Sequence, residues 1–404
     1  MTRTRSSSRA DPTPSNDRRG FLATLGAVGG LGTGLAGCLG DGGNGGGNGN
    51  GDGNGDGNGD GSGNGATQGS SGSGDQTLTI LGYNFYYPDS IVEPFEEEHG
   101  VDVEVISLTT NSEAVGLMRT QYQGDVDVIG VTNNWVEPLW NADLVEPIPT
   151  DDMSHFGNLV ERARTAPGCV IDGTQTAIPY AYGMTGPMYR TDVIDEEPDE
   201  LSWDYLFDPE TIESNDLDGR IAMRDWPIAA FANAGYYLGD DHPHPPSDLE
   251  ACRDALEGAF PSYRTLWSTQ DQHLKLIANE EVVVQHGWDL TGFLAMDQGH
   301  PVEMAVPPAG TDGYADAHQL AADAPNPDLA VEFMDHYSSP DASIQQMRNA
   351  GNLPINLDAR DDMTETERDH RSVVLENEDR LRMRRYFGDE ELETAQQMWQ
   401  ELKG

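Results

Sequence analysis

Lysine is almost missing from this chain: Lys275 and Lys403 are the only two in 404 residues, and 23 basic residues face 70 acidic ones, for a formal net charge of −47. Without a basic footprint a chain cannot neutralise phosphates, which excludes nucleic acid as a partner and disfavours adsorption to anionic lipid. Cysteine is scarce too, limited to Cys38, Cys169 and Cys252. None has C-x-x-C spacing with histidine neighbours, so a zinc site is not expected, and Cys169 and Cys252 are left as either a disulfide or two buried thiols. No apolar run is long enough to span a bilayer comfortably; the nearest, residues 21–36, is about 16 residues long and rich in glycine. Catalytic signatures are also missing. There is no G-x-S-x-G elbow, no H-E-x-x-H, no P-loop and no G-x-G-x-x-G after a strand. His242-Pro243-His244 has metal-like spacing but sits in a proline-rich loop without a third ligand.

The composition that remains is informative. An acidic, lysine-poor surface suits concentrated salt, where screening lengths shrink and self-repulsion is muted. Hydrophobic content of 36%, with 7 Trp and 14 Tyr, is enough for a folded core. At the N-terminus, Arg18-Arg19 precedes the short apolar stretch, and Leu35-Ala36-Gly37-Cys38 follows it. The order reads as a Tat-type lipoprotein signal peptide over 1–37, with Cys38 as the lipid attachment site on the extracellular face of the cell membrane. Residues 38–75 are nearly all Gly, Asn, Asp and Ser, a composition that cannot offset its own ordering entropy and is expected to act as a flexible tether. Its Gly-Asn-Gly-Asp repeats lack the apolar residue of a calcium-binding β-roll.

From Gln76 onward, strands and helices alternate. Gln76–Leu81, Val101–Ile106 and Val126–Val131 read as strands. A helix beginning at Ser90-Ile91-Val92-Glu93, a capping-box pattern, ends near Gly100, and Ser112–Gln123 is a second helical candidate. This β-α-β-α-β order predicts an α/β fold with a parallel sheet, whose ligands sit beyond the carboxyl ends of the strands. The loops Tyr83–Pro88 and Thr132–Trp135 then share one rim. A second α/β unit follows through Ala177–Pro179, Asp204–Phe207, Arg220–Arg224, Asp248–Phe260 and Glu281–His286. The tail from Pro327 reads as helical, with Leu392, Ala395, Trp399 and Leu402 on one face of the last helix.

The segments LGYNFYYPDSIVEPFEEEHGVDVEV, DVDVIGVTNNWVEPL, TAIPYAYGMTGPMY, LSWDYLFDPE, LDGRIAMRD, VVVQHGWDLTGF and GNLPINLDAR occur in that order. Together they resemble the extracellular solute-binding proteins of ABC importers, of the spermidine/putrescine-binding branch, in a haloarchaeal-like form. The resemblance implies a two-lobed, periplasmic-binding-protein-like fold (a Venus flytrap), each lobe a mixed sheet flanked by helices. Lobe 1 would comprise 76–182 with 310–404 and its bracing C-terminal helices, and lobe 2 would comprise 183–309. Ile178–Gly183 and Val306–Gly310 would be the hinges. It further implies no enzyme activity, no cofactor, no metal, a monomer, and delivery of a small solute, a polyamine foremost, to permease subunits.

Carried onto this sequence, the family's cleft positions fall at Tyr83, Tyr86, Thr132, Asn134, Asp225, Trp267, Trp288, Asp289 and Asn352. Aromatic faces with a desolvated carboxylate suit an organic cation. Asn134 departs from an aromatic position, Trp226 and Ala229 follow Asp225 where the family carries further acids, and Arg224 beside it favours an anion. Two other readings stay open: a ferric-ion binder using Tyr86-Tyr87 and Tyr236-Tyr237, although Ala234-Gly235-Tyr236-Tyr237-Leu238 also reads as core, and a surface hydrolase.

Overall fold

The computed structural model describes residues 76–404. The expected export signal, Cys38 and the expected tether lie outside the described residues. Thirteen strands form the framework: β1 (Thr77–Gly82), β2 (Asp102–Ser107), β3 (Val128–Thr132), β4 (Val145–Glu146), β5 (Val170–Ile171), β6 (Thr174–Gln175), β7 (Ile178–Arg190), β8 (Ile221–Arg224), β9 (Tyr263–Trp267), β10 (Val284–Trp288), β11 (Val302–Met304), β12 (Thr311–Ala321) and β13 (Leu381–Met383). Eleven of them share one sheet whose main path runs β2-β1-β3-β12-β7-β10-β8-β9.

Both halves of that path are parallel where helices cross over, with β2, β1 and β3 at one end and β10, β8 and β9 at the other. Between them run two long antiparallel strands, β7 and β12. The first part of β7 pairs with β12, and its last residues pair with β10 and β11. The end of β12 pairs with β3 and its start with β13. Each long strand therefore serves two lobes, and the mixed sheet is a consequence of that sharing. The buried apolar side chains form two main clusters. One gathers Leu78, Ile80, Phe95, Val128, Ile129, Tyr180 and Phe333 and also takes in Trp267, Phe293 and Met304, and another gathers Trp203, Phe207, Ile221, Phe231, Leu256 and Trp399. The two-lobed α/β architecture inferred from sequence is present.

Several local expectations need correction. The helix Asp89–His99 is capped by Pro88, with no side-chain bond from Ser90, so the capping-box pattern is not used. Its end is as expected: Gly100 takes the left-handed conformation at φ 66°, which only glycine adopts without strain. The 112–123 candidate is a short α-helix, Glu113–Leu117, running into a π turn, Met118–Tyr122. Cys169 and Cys252 are separate buried thiols rather than a disulfide. The last helix, Asp389–Lys403, buries Ala395 and Trp399 in the second core, with Leu392 and Leu402 packed beside them. No helix among the described residues is long and apolar enough to cross a membrane.

Candidate functional site

Carboxyl ends of parallel strands converge where the lobes meet, and each delivers a polar or aromatic side chain. Tyr83 follows β1 and Thr132 ends β3; on the other side, Arg224 ends β8, Trp267 ends β9 and Trp288 ends β10. A loop directly after a strand end has free backbone groups and no ladder partner, so side chains rather than backbone fill the rim.

The first rim is organised by Asp316, a residue in the middle of β12. Its carboxylate accepts the Tyr86 hydroxyl at 2.6 Å and the Thr132 hydroxyl at 2.6 Å. Thr132 is itself held by Asn111, whose amide donates to its Oγ1 at 2.9 Å. Asp316 is only 5% exposed. Burial raises its pKa above the ordinary aspartate value, while the Thr132 and Tyr86 hydrogen bonds pull against that rise. Tyr83 lies edge-on to Tyr86, with ring centroids 6.5 Å apart. Its phenol is pushed up by burial and by the charges of Asp316 and Glu113, and pulled down by Arg224. One side chain of the first lobe therefore feels the charges of both rims.

The second rim is built on arginine and tryptophan. The Arg224 guanidinium lies 4.2 Å from the Trp288 ring centroid, 4.4 Å from Trp226 and 5.8 Å from Trp267. Arg384 approaches Trp226 from elsewhere, at 5.1 Å. Burial, and then the neighbouring Arg384 charge, lower the Arg224 pKa to about 9. Arg384 is anchored differently, donating to Asp312 at 3.3 Å and to the Thr185 hydroxyl at 2.7 Å. Asp312 also meets His244 at 2.5 Å; burial alone would raise its pKa, but His244 and Arg384 hold it well below the ordinary value.

The remaining expected residues fall into three groups. Trp267 is fully buried, donates its indole N–H to the His286 carbonyl at 3.0 Å and stacks on His273, so it backs Trp288 as a wall. Asp289 and Asn352 converge on Tyr314, the hydroxyl of which donates to Asp289 at 3.0 Å and accepts from the Asn352 amide at 2.8 Å. Asp289 also accepts the Met184 and Leu290 backbone N–H groups, and burial raises its pKa to about 7. Asp225 does not join the cluster. Its carboxylate accepts the Trp399 indole N–H at 2.7 Å and the Lys403 ammonium at 2.9 Å, both from the terminal helix. Asn134 is buried in its turn, where the bonding role belongs to Asn133, which donates to the Pro167 and Arg384 carbonyls.

Asp316, Tyr314 and Arg384 were not singled out from sequence. A signal existed in β12, where Asp312, Tyr314, Asp316 and His318 alternate at the period of two that puts them on one face. The His242-Pro243-His244 loop is explained by the His244–Asp312 pair, and among the described residues no group of three or more His, Cys, Asp or Glu is placed to hold a metal. Tyr236 stacks on Trp203 at 5.7 Å and Tyr237 on Phe207 at 5.3 Å, as core aromatics. An open depression of about 610 Å³ is lined by Val160, Arg162, Leu357 and Glu378 and by none of the rim residues. Convergence of charged and aromatic groups at strand ends, not open volume, marks the candidate site.

Comparison with known proteins agrees with this fold. The family model for bacterial extracellular solute-binding proteins matches residues 90–370. The spermidine/putrescine-binding periplasmic protein of Escherichia coli K12 is 24% identical over 294 residues, covering 72% of this chain and 81% of that protein. A putrescine/agmatine-binding protein of Pseudomonas aeruginosa is 26% identical over 281 residues, covering 67% and 75%. Among solved structures, the spermidine/putrescine ABC transporter substrate-binding protein of Streptococcus pneumoniae superposes with a TM-score of 0.68 at 18% identity, over 81% of this chain and 98% of that one. Proteins of this kind bind small ligands and interact with permease subunits. The chain belongs to the bacterial extracellular solute-binding proteins that serve ABC transporters, and it is a binding protein rather than an enzyme.

Proposed function

We propose that this chain captures a small organic solute bearing an amine, held between the two rims, and delivers it to the permease of an ABC importer. The observation that carries the reading is Asp316: a buried carboxylate beneath the first rim, bonded by the Tyr86 and Thr132 hydroxyls, with Tyr83 edge-on to Tyr86. A carboxylate accepts along about four lone-pair directions, so two bonds leave room for an ammonium. Aromatic faces add about 0.5–2 kcal/mol for a desolvated cation. Polyamines such as putrescine and spermidine are the substrate class suggested by the names of the relatives. Lobe 1 is assigned to 76–182 with 310–404, and lobe 2 to 183–309. The protein works as a monomer, exported by the Tat route and held by lipid at Cys38 on the outer face of the membrane.

Titration calorimetry with putrescine, spermidine, agmatine and ω-amino acids tests the reading. At least one is expected to bind, with Asp316→Asn and Trp288→Ala each weakening it about tenfold or more while the fold persists. Failure of every amine to bind, or normal binding by Asp316→Asn, rejects it. The ferric-ion alternative gains nothing from Tyr236 and Tyr237, since both are packed in aromatic stacks.

A further inference from the structure

The unusual group at the second rim is Arg224. Among the described residues no carboxylate, carbonyl or hydroxyl pairs with its guanidinium; its neighbours are the three indole rings and, beyond them, Tyr83 and Arg384. Several other arginines of low exposure do have acceptors, Arg190 in Asp192, Arg360 in Glu378 and Arg384 in Asp312 and Thr185, whereas Arg164, over the Phe156 ring, shares the lack of one. A guanidinium has five N–H donors in a planar fork, and aromatic faces accept none of them well. The Trp288 and Trp226 rings hold the guanidinium at 4.2 and 4.4 Å without taking its N–H donors, which a bidentate carboxylate would satisfy.

Unlike Asp316, which is bonded only by hydroxyls, the acids near this rim already face a cation or a fuller set of donors. Asp225 is held by Lys403 and Trp399, Asp312 by His244 and Arg384, and Asp289 by two backbone amides and Tyr314. A linear diamine with one ammonium at Asp316 would bring its other ammonium toward two guanidiniums, with no carboxylate left to receive it. A carboxylate at that end meets an unsatisfied fork instead. Arg384, over both the Trp226 and the Tyr314 rings, links the Arg224 rim to the face of β12 that carries Asp316, and Tyr83 lies edge-on to Tyr86, the donor to Asp316, so a short aliphatic chain between the rims would meet both poles.

We propose that the solute is zwitterionic, an ω-amino acid type of molecule whose ammonium is held by Asp316 and whose carboxylate is held by Arg224. This rests on the amine-binding reading above and narrows it. The two rims then act as opposite poles, and the ligand bridges the lobes by charge as well as by stacking.

Calorimetry on the full chain with 4-aminobutyrate, 5-aminopentanoate and putrescine, molecules of similar length differing at one end, tests the proposal. One of the amino acids is expected to bind at least tenfold more tightly than putrescine. Arg224→Gln is expected to lose at least tenfold for that amino acid without loss for putrescine, and Arg224→Lys, which keeps charge but not the fork, to fall between. Thermal unfolding of each variant confirms that it is folded. Putrescine binding as tightly as the amino acids in the wild type, or undiminished amino-acid binding by folded Arg224→Gln, overturns the zwitterion while leaving the amine receptor standing. No binding by any of the three, nor by spermidine or agmatine, overturns both.

Discussion

The Tyr86 hydroxyl and the Asp316 carboxylate, 230 residues apart in the chain, meet at 2.6 Å beneath the first rim. Thr132 donates to the other oxygen of the same carboxylate at the same distance. The strand-end loops of β1 and β3 are thereby tied to β12, the strand that both lobes share. Removing either donor from a buried carboxylate costs about 1.5–3 kcal/mol. Tyr86→Phe and Thr132→Val are each expected to lose stability in that range in urea unfolding. The double variant should lose less than the sum, because an undonated Asp316 takes up a proton instead of remaining charged.

Asp225 braces the second lobe. Its bonds to Lys403 and to the Trp399 indole fasten the terminal helix, and both partners of the ion pair are about a quarter exposed, which screens part of the attraction. Asp225→Ala is expected to lower stability by about 1–2 kcal/mol and to leave solute affinity within twofold of wild type. A large affinity loss in a folded variant would return Asp225 to the binding site.

Gly183 in β7 lies against Asp289 and the Tyr314 hydroxyl, and a Cβ there would collide with both. The neighbours are locked into the Asp289–Tyr314–Asn352 network and cannot yield cheaply. Gly183→Ala should cost about 1–3 kcal/mol by overpacking, read from chemical denaturation. A neutral outcome would mean that the network is softer than its hydrogen bonds imply.

Asp289 sets a pH dependence. Burial raises its pKa to about 7 in the folded chain, from an ordinary value near 4 when unfolded. Between those values the folded state holds a proton that the unfolded state has released, so stability falls with rising pH across that window. The stabilisation from this group is full below about pH 4 and gone above about pH 7. Asp289→Asn cannot titrate. The difference in unfolding free energy, wild type minus variant, is therefore expected to decline from pH 4 to pH 7 and then level off; a constant difference would contradict the shift.

The elements read most directly from sequence were those with clear periodicity or punctuation. β1, β2 and β3 come within two residues of the predicted strands, the first long helix stops at Gly100, and the apolar face of the last helix is the buried one. The two strands that join the lobes were not legible. In β7, IPYAYGMTGPMYR is buried at every position, so it shows no alternation, and its prolines and glycines argue against a strand. In β12, TDGYADAHQLA carries two acids and a histidine in a fully buried strand, a pattern that composition assigns to a surface loop.

The sequence by itself determined the chemistry available: the aromatic rims, the acidic body, the α/β alternation and the lack of a catalytic constellation. It also placed the loops carrying Tyr83, Tyr86 and Thr132 beyond strand ends, because strand ends are local features, whereas Trp288 came from the family resemblance. Only the tertiary structure decided which charge each rim carries. Arg224 and Asp225 are adjacent in the chain, yet one lies among three indoles and the other is tied to the terminal helix. Asp316 becomes the polar centre of the first rim only when β12 pairs with β3 and sets it opposite Thr132. Such assignments depend on pairings between residues nearly two hundred positions apart, and no local pattern encodes which way a side chain turns once those pairings form.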